Sequence, residues 1–156
     1  MNDWFKLRQY CHERNIDFLA SVFQEEGVNY LRELQPKYYK VASRAVKTYP
    51  YDMVPGPFLV STGLGLPEVT YTGTNFLDCA FGYPAPPTKW CGLSSGLSDH
   101  SGTVYPGLDA IARGADFLEV HFCAEGLDPG NDGPVCLNFD QLKLLCDFNK
   151  AEKEMA

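Results

Sequence analysis

Two histidines of this chain lie in segments that suit the ends of β-strands. His100 closes the segment 96–100, Gly-Leu-Ser-Asp-His, and His121 lies in the segment 119–122, Glu-Val-His-Phe. A helix-sized stretch separates them, so both side chains can point from neighbouring strand ends into one pocket. Two neutral imidazoles there can hold a divalent metal ion. The pattern predicts a metal site, and the alternative is that each histidine packs at a strand end and hydrogen-bonds locally.

The elements that would position these histidines follow from the spacing of apolar residues. Apolar residues at helical spacing predict helices, and short apolar runs between turn residues predict strands. Asn138 suits the N-cap of the last helix, whose apolar stripe would be Leu142, Leu145 and Cys146. The alternation of the two patterns indicates repeated βα units, in a reduced barrel, an open α/β sheet, or a sheet completed by another chain. The predicted helices are 3–14, 25–34, 104–113 and 138–149, and the six predicted strands are 18–22, 38–42, 58–61, 76–80, 93–97 and 116–122.

Size, charge and cysteine use narrow the class of protein. A chain of 156 residues is the usual size of one domain, so residues 1–156 are predicted to form a single domain. The formal net charge of −7, with no run of Lys or Arg, argues against nucleic acid and membrane partners. The six cysteines form no CxxC pair and the N-terminus shows no secretory signal, which predicts reduced thiols and a cytoplasmic protein. A disulfide-bonded protein is the alternative.

The order of several segments along the chain resembles the barrel domain of the sialic acid synthase family. This resemblance covers residues 7 to about 147 and implies a TIM-barrel-like (β/α) fold, reduced to about six parallel strands that correspond to the family's strands three to eight. The family's first two βα units and its C-terminal antifreeze-like domain are predicted to be lacking. The segments that carry the resemblance are 7–11, 18–21, 40–43, Ser61-Thr62-Gly63, Cys79 with Tyr83-Pro84-Ala85-Pro86, 96–100, Gly114-Ala115 and 119–122.

The resemblance implies a metal-dependent enzyme that condenses phosphoenolpyruvate with an N-acetylated aldehyde sugar of the N-acetylmannosamine type. Such a transferase would belong to carbohydrate biosynthesis. His100 and His121 match the family's metal ligands, with Mn²⁺ as the expected ion and Mg²⁺ or Co²⁺ as alternatives. The implied partners are therefore two small molecules, phosphoenolpyruvate and an amino sugar.

Strand spacing and the resemblance indicate the remaining site residues. Glu119 lies two residues before His121, so both side chains face the same way on a strand, and Glu119 is a catalytic candidate as a base or as a group that orients another. The resemblance implies Asp132 as the second catalytic candidate, a ligand of the sugar or of water on the metal. Each has a simpler interpretation, a solvated or ion-paired strand glutamate and a turn aspartate. Lys40 could likewise be a solvated strand-end charge, and serine and threonine are common in turns. The candidates for substrate binding are Lys40, Ser43, Ser61, Thr62, Tyr83, Ser98 and Ser21.

Departures from the family pattern support a second hypothesis. Arg44 and Ala45 stand where the family has Gly and Glu, Gly133 replaces a histidine, and Ser21 replaces a threonine. The alternative function is that of a non-catalytic, degenerate relative, which binds metal or phosphate or serves as a structural assembly protein. Unpaired edges of a six-stranded sheet further predict a homodimer, with a closed six-stranded barrel as the monomeric alternative.

Overall fold

The computed structural model of the protein describes residues 3–68 and 71–155. By internal contacts the chain divides into two compact units, Met1–Asn75 and Phe76–Ala156, called unit 1 and unit 2 below. The described residues contain six strands, and every strand pairing given below is parallel.

Unit 1 contains helices α1 (Asp3–His12) and α2 (Glu25–Leu34) and strands β1 (Tyr39–Val41) and β2 (Phe58–Ser61). The two strands pair with Lys40 opposite Leu59. The α2 prediction is confirmed at both ends, and its predicted face is buried, because Val28, Leu31 and Leu34 recur at helical spacing. Helix α1 ends two residues before the predicted boundary.

The predicted strand at 18–22 is wrong. These residues are extended, but Ser21 alone forms a bridge to β1, opposite Lys40. A strand needs a run of consecutive pairings, and one bridge beside a three-residue strand does not supply it. The apolar run therefore indicated an extended segment beside β1 without a ladder of its own.

Unit 2 contains strand β3 (Asn75–Cys79) except for its first residue, and strands β4 (Gly96–Asp99), β5 (Phe117–Phe122) and β6 (Cys136–Leu137). They pair in chain order, with Cys79 opposite Ser98, Ser98 opposite Glu119, and His121 opposite Cys136. Register-matched side chains of a parallel pair lie on the same face of the sheet. This register therefore places the polar residues of neighbouring strands side by side.

Two strand predictions in unit 2 need correction. The strand predicted at 93–97 lies at 96–99, because residues 92–95 form bends and Leu93 is 93% exposed. Gly96 begins the strand, and a Cβ at this position would lie only 2.0 Å from the carbonyl oxygen of Phe117. Strand β6 was not predicted, because two residues after a Gly/Pro/Asp loop are too short to show a periodic pattern.

The helices of unit 2 are α3 (Tyr105–Ala112) and α4 (Phe139–Met155). The N-cap prediction for α4 is confirmed: Asn138 Oδ1 accepts from the Gln141 amide, and Gln141 Oε1 accepts from the Asn138 amide, both at 2.9 Å. The apolar stripe is partly wrong, since Leu145 is buried and Leu142 half-buried but Cys146 is exposed. The apolar stripe passes through the half-buried Phe148 instead, and the helix continues six residues beyond its predicted end.

All six cysteines are free thiols, as predicted. None of the helices in the described residues is long and apolar enough to cross a membrane.

Candidate active site

Unit 1 holds a buried lysine beside a buried serine. Lys40 lies in the middle of β1, and its Nζ donates to Ser61 Oγ at 2.8 Å and to the Val41 carbonyl at 3.3 Å. Only 6% of Lys40 and 2% of Ser61 are exposed. Removing an ammonium group from water costs several kcal/mol, so such a group is usually kept for an ionic or catalytic purpose. The ammonium group of Lys40 and the hydroxyl group of Ser61 can together bind an anion.

The other three predicted residues of unit 1 lie beside or just after β1 and β2. Ser43 follows β1 in a 3₁₀ turn, and its Oγ accepts from the Leu64 amide at 2.7 Å. Thr62 directly follows Ser61 at the end of β2 and is half-buried. Ser21 lies opposite Lys40 through the isolated bridge. These five residues, Lys40, Ser61, Ser43, Thr62 and Ser21, are called the lysine cluster below.

Unit 2 brings together the two predicted histidines. Their ring centroids are 5.2 Å apart, a separation that lets both rings share one ion, because metal–imidazole bonds are about 2.1 Å long. The Tyr83 ring packs against both, with centroids 5.5 Å from His100 and 5.8 Å from His121. Tyr83 donates its hydroxyl to Asp132 Oδ1 at 2.5 Å, and Asp132 Oδ2 lies 3.7 Å from His121 Nδ1. Tyr83, His100, His121 and Asp132 are called the histidine cluster below.

The loops after the strands hold the histidine cluster in place. The Ala85 amide donates to the His100 carbonyl at 2.9 Å, which ties the loop containing Tyr83 to the end of β4. Burial, together with the hydrogen bond to Asp132, raises the pKa of the Tyr83 hydroxyl. Tyr83 therefore stays protonated over the physiological range and acts as a donor to Asp132.

The other two predicted residues of unit 2 contact each other. Ser98 on β4 donates its hydroxyl to Glu119 on β5, as their matched register requires. The next residue, Asp99, is 7% exposed, and burial raises the pKa of its carboxyl group while hydrogen bonds from the Ser101 amide and hydroxyl oppose that shift. Asp99 thus uses its oxygens to hold the loop after His100.

One residue at this site was missed as a candidate. Cys79 Sγ lies 3.6 Å from His100 Nδ1. The sequence signal for Cys79 is its position at the end of a strand, since Cys79 ends β3 and His100 directly follows β4. Only the register shows that the two side chains meet. Across the described residues there is no group of three or more His, Cys, Asp or Glu side chains placed to hold a metal ion. A metal at the histidine pair would therefore need other ligands, such as substrate or water, as open catalytic sites do.

Comparison with known proteins decides the family. The sequence model described as the NeuB family matches residues 1–156. The chain belongs to the NeuB family. This confirms the resemblance to sialic acid synthases that the sequence indicated.

Several relatives of this NeuB family chain are sugar acid synthases or polysaccharide biosynthesis proteins. The chain is 30% identical to the spore coat polysaccharide biosynthesis protein SpsE of Bacillus subtilis, and the match covers 96% of this chain and 48% of that protein. It is 29% identical to the N,N'-diacetyllegionaminic acid synthase of Campylobacter jejuni (90% and 51% covered) and 26% identical to the human N-acetylneuraminate-9-phosphate synthase (88% and 45% covered). The chain spans about half the length of the curated relatives it matches.

Solved structures show the same fold. The crystal structure of Bacillus subtilis SpsE matches with a TM-score of 0.71 at 22% identity, over 96% of this chain and 50% of that one. The N-acetylneuraminic acid synthetase of Leptospira borgpetersenii, solved with citrate, matches with a TM-score of 0.76 at 20% identity, over 97% and 62%. The predicted TIM-barrel-like α/β fold with six parallel strands is confirmed.

Proposed function

We propose that this NeuB family chain condenses phosphoenolpyruvate with the aldehyde of an N-acetylated amino sugar of the N-acetylmannosamine type. The observation that carries the proposal is the histidine cluster: two imidazoles 5.2 Å apart at strand ends, in contact with one tyrosine. Family membership supports the reaction class, since matched relatives are synthases of N-acetylneuraminate 9-phosphate, legionaminic and pseudaminic acids.

His100 and His121 would hold a divalent metal, with Mn²⁺ as the expected ion and Mg²⁺ or Co²⁺ as alternatives. Imidazole nitrogen is a suitable donor for first-row transition metals. When bound, the metal supplies Lewis-acid polarisation of the sugar aldehyde. The two histidines would supply its protein ligands, and the Tyr83 ring packs against both of them.

The lysine cluster would bind phosphoenolpyruvate. This substrate carries a phosphate and a carboxylate, which require cationic or hydroxyl donors. The buried Lys40 supplies positive charge, and Ser61, Ser43, Thr62 and Ser21 supply hydroxyl groups in the same unit. Attraction between opposite charges is stronger away from water, so burial of Lys40 favours an anionic ligand.

The reaction joins the methylene carbon of phosphoenolpyruvate to the aldehyde carbon of the sugar, and the aldehyde oxygen gains a proton to become a hydroxyl. Water adds to the carbon that carries the phosphate, and loss of inorganic phosphate leaves a 2-keto acid. The water loses both of its protons as it becomes the keto oxygen: one balances the proton gained by the aldehyde oxygen, and the other leaves with the phosphate. We assign Glu119 as the base that removes the first proton. Asp132 would bind a sugar hydroxyl, because an ionised carboxylate can accept further hydrogen bonds beyond the one from Tyr83. Ser98 would position Glu119 through their hydrogen bond.

The experiment mixes the protein with phosphoenolpyruvate, N-acetylmannosamine or a related sugar, and Mn²⁺, and measures released phosphate and 2-keto acid. We expect release that needs both substrates and stops on chelation. Glu119→Gln should lower the rate about 100-fold or more, as loss of a general base does, whereas Glu125→Gln, at an exposed position of the same unit, should not. No turnover with any of several such sugars would refute the proposed activity.

The non-catalytic alternative is favoured by one observation. Ala45 stands where the resemblance implies a glutamate, and it is 3% exposed, so a methyl group occupies this core position. Calorimetric titration with phosphoenolpyruvate and Mn²⁺ separates the two functions. Binding without turnover would support a degenerate binding protein, and no binding of either would support a structural role.

A further inference from the structure

Cys79 contacts the imidazole of His100 from the neighbouring strand. Cys79 is the last residue of β3, His100 directly follows β4, and the register pairs Cys79 with Ser98. The Cys79 Sγ to His100 Nδ1 distance is 3.6 Å, a suitable length for a hydrogen bond that involves sulfur. This contact reaches the ring nitrogen that is nearer to the backbone.

Counting hydrogen atoms assigns the direction of this contact. Cys79 donates to the Ala80 carbonyl at 3.7 Å, and a thiol has one hydrogen to donate. Both contacts of Cys79 are hydrogen bonds at once only if the thiol hydrogen points at the Ala80 carbonyl and the sulfur accepts from His100, an arrangement that places the hydrogen between them on Nδ1. A neutral imidazole with hydrogen on Nδ1 has its lone pair on Nε2. Metal coordination by His100 would therefore use Nε2.

His121 is arranged in the same way by a different group. Its Nδ1 lies 3.7 Å from Asp132 Oδ2, and an ionised carboxylate only accepts, so this contact also favours hydrogen on Nδ1. The Tyr83 hydroxyl holds Asp132 through its other oxygen. The Nδ1 side of each ring thus faces a group that can accept a hydrogen, a carboxylate for His121 and a thiol sulfur for His100.

We infer that Cys79 is a positioning residue: its sulfur holds His100 in the Nδ1–H tautomer and so selects Nε2 as the metal-binding nitrogen. A group that binds the second nitrogen of a metal-ligating histidine fixes the orientation and tautomer of the ring, and its loss typically costs about 10- to 100-fold in metal affinity. The inference deepens the proposed function and rests on it for the metal. The tautomer itself is a property of the protein without metal.

The first test is ¹⁵N NMR of the histidine side chains in the metal-free protein, comparing wild type with Cys79→Ala, Cys79→Ser and the control Cys146→Ala. Cys146 is exposed on α4, so its substitution should change neither His100 nitrogen. We expect hydrogen on Nδ1 of His100 in wild type and in Cys79→Ser, whose hydroxyl can still accept. Cys79→Ala should move the hydrogen toward Nε2. Hydrogen on Nε2 in wild type, or no change in Cys79→Ala, would overturn the inference.

The second test is Mn²⁺ titration of the same four proteins. Cys79→Ala should bind Mn²⁺ about 10- to 100-fold more weakly than wild type, with Cys79→Ser restoring most of the affinity. Equal affinity in wild type and a folded Cys79→Ala would overturn the role toward metal. If wild type does not bind Mn²⁺, the proposed metal site is refuted. The NMR measurement of the His100 tautomer would still decide whether Cys79 orients the ring.

Discussion

Replacing Lys40 by methionine should weaken the binding of phosphoenolpyruvate while changing the free energy of unfolding little. Methionine keeps most of the length of the side chain and removes the charge, so the change tests whether the buried ammonium serves an anionic substrate. Hydrogen bonds to a charged group contribute about 1.5 to 3 kcal/mol, and truncating one partner of a buried charge pair costs about 2 to 5 kcal/mol. We therefore expect phosphoenolpyruvate to bind at least 2 to 3 kcal/mol more weakly, a rise in Kd of about 30- to 150-fold.

The same substitution should change the free energy of unfolding little. It removes the hydrogen bonds from Lys40 to Ser61 at 2.8 Å and to the Val41 carbonyl at 3.3 Å, which lowers stability. It also removes the cost of keeping an ammonium group that is 6% exposed away from water. The two effects oppose each other, so we expect a net change within about 1 kcal/mol.

Calorimetric titration with phosphoenolpyruvate and a denaturant melt measure the two quantities on one preparation. Lys47→Met, at an exposed position of the same unit, is the matched control and should change neither. Wild-type affinity for phosphoenolpyruvate in Lys40→Met would refute the assignment of Lys40 to this substrate. A large loss of stability without loss of affinity would show that Lys40 is structural.

Three further predictions concern metal binding, packing and assembly. His121→Ala should abolish Mn²⁺ binding while changing the melting temperature little, because the His121 side chain is 31% exposed. The control is His12→Ala, at an exposed position. Equal Mn²⁺ affinity in wild type and His121→Ala would remove His121 from the site. Leu145→Ala should lower the free energy of unfolding, measured by a denaturant melt, by about 2 to 5 kcal/mol. Leu144 is 48% exposed on the same helix, so Leu144→Ala should lower it by about 0.5 kcal/mol or less. Equal losses would contradict the packing of α4. We expect a homodimer by light scattering at micromolar concentration, because β6 has only β5 as a strand neighbour among the described residues, and a mass near 17.4 kDa would contradict it.

Local patterns predicted much of the secondary structure. Helix α2 was predicted at both ends because its apolar spacing and the proline after it are properties of neighbouring residues. The N-cap of α4 was predicted for the same reason, since Asn138 and Gln141 are three residues apart. The strand prediction for 18–22 is wrong and β6 was missed, because strand formation depends on partners that are distant in sequence.

The sequence by itself determined the family, the class of fold and the candidate residues, because residue types and their order are enough to recognise strand ends and their chemistry. Only the tertiary structure decided which side chains meet. The contacts of Cys79 with His100, Tyr83 with Asp132, and Ser98 with Glu119 join residues on different strands or loops. Such contacts depend on strand register and loop path, which fix side-chain positions to within ångströms and leave no periodic trace in the chain.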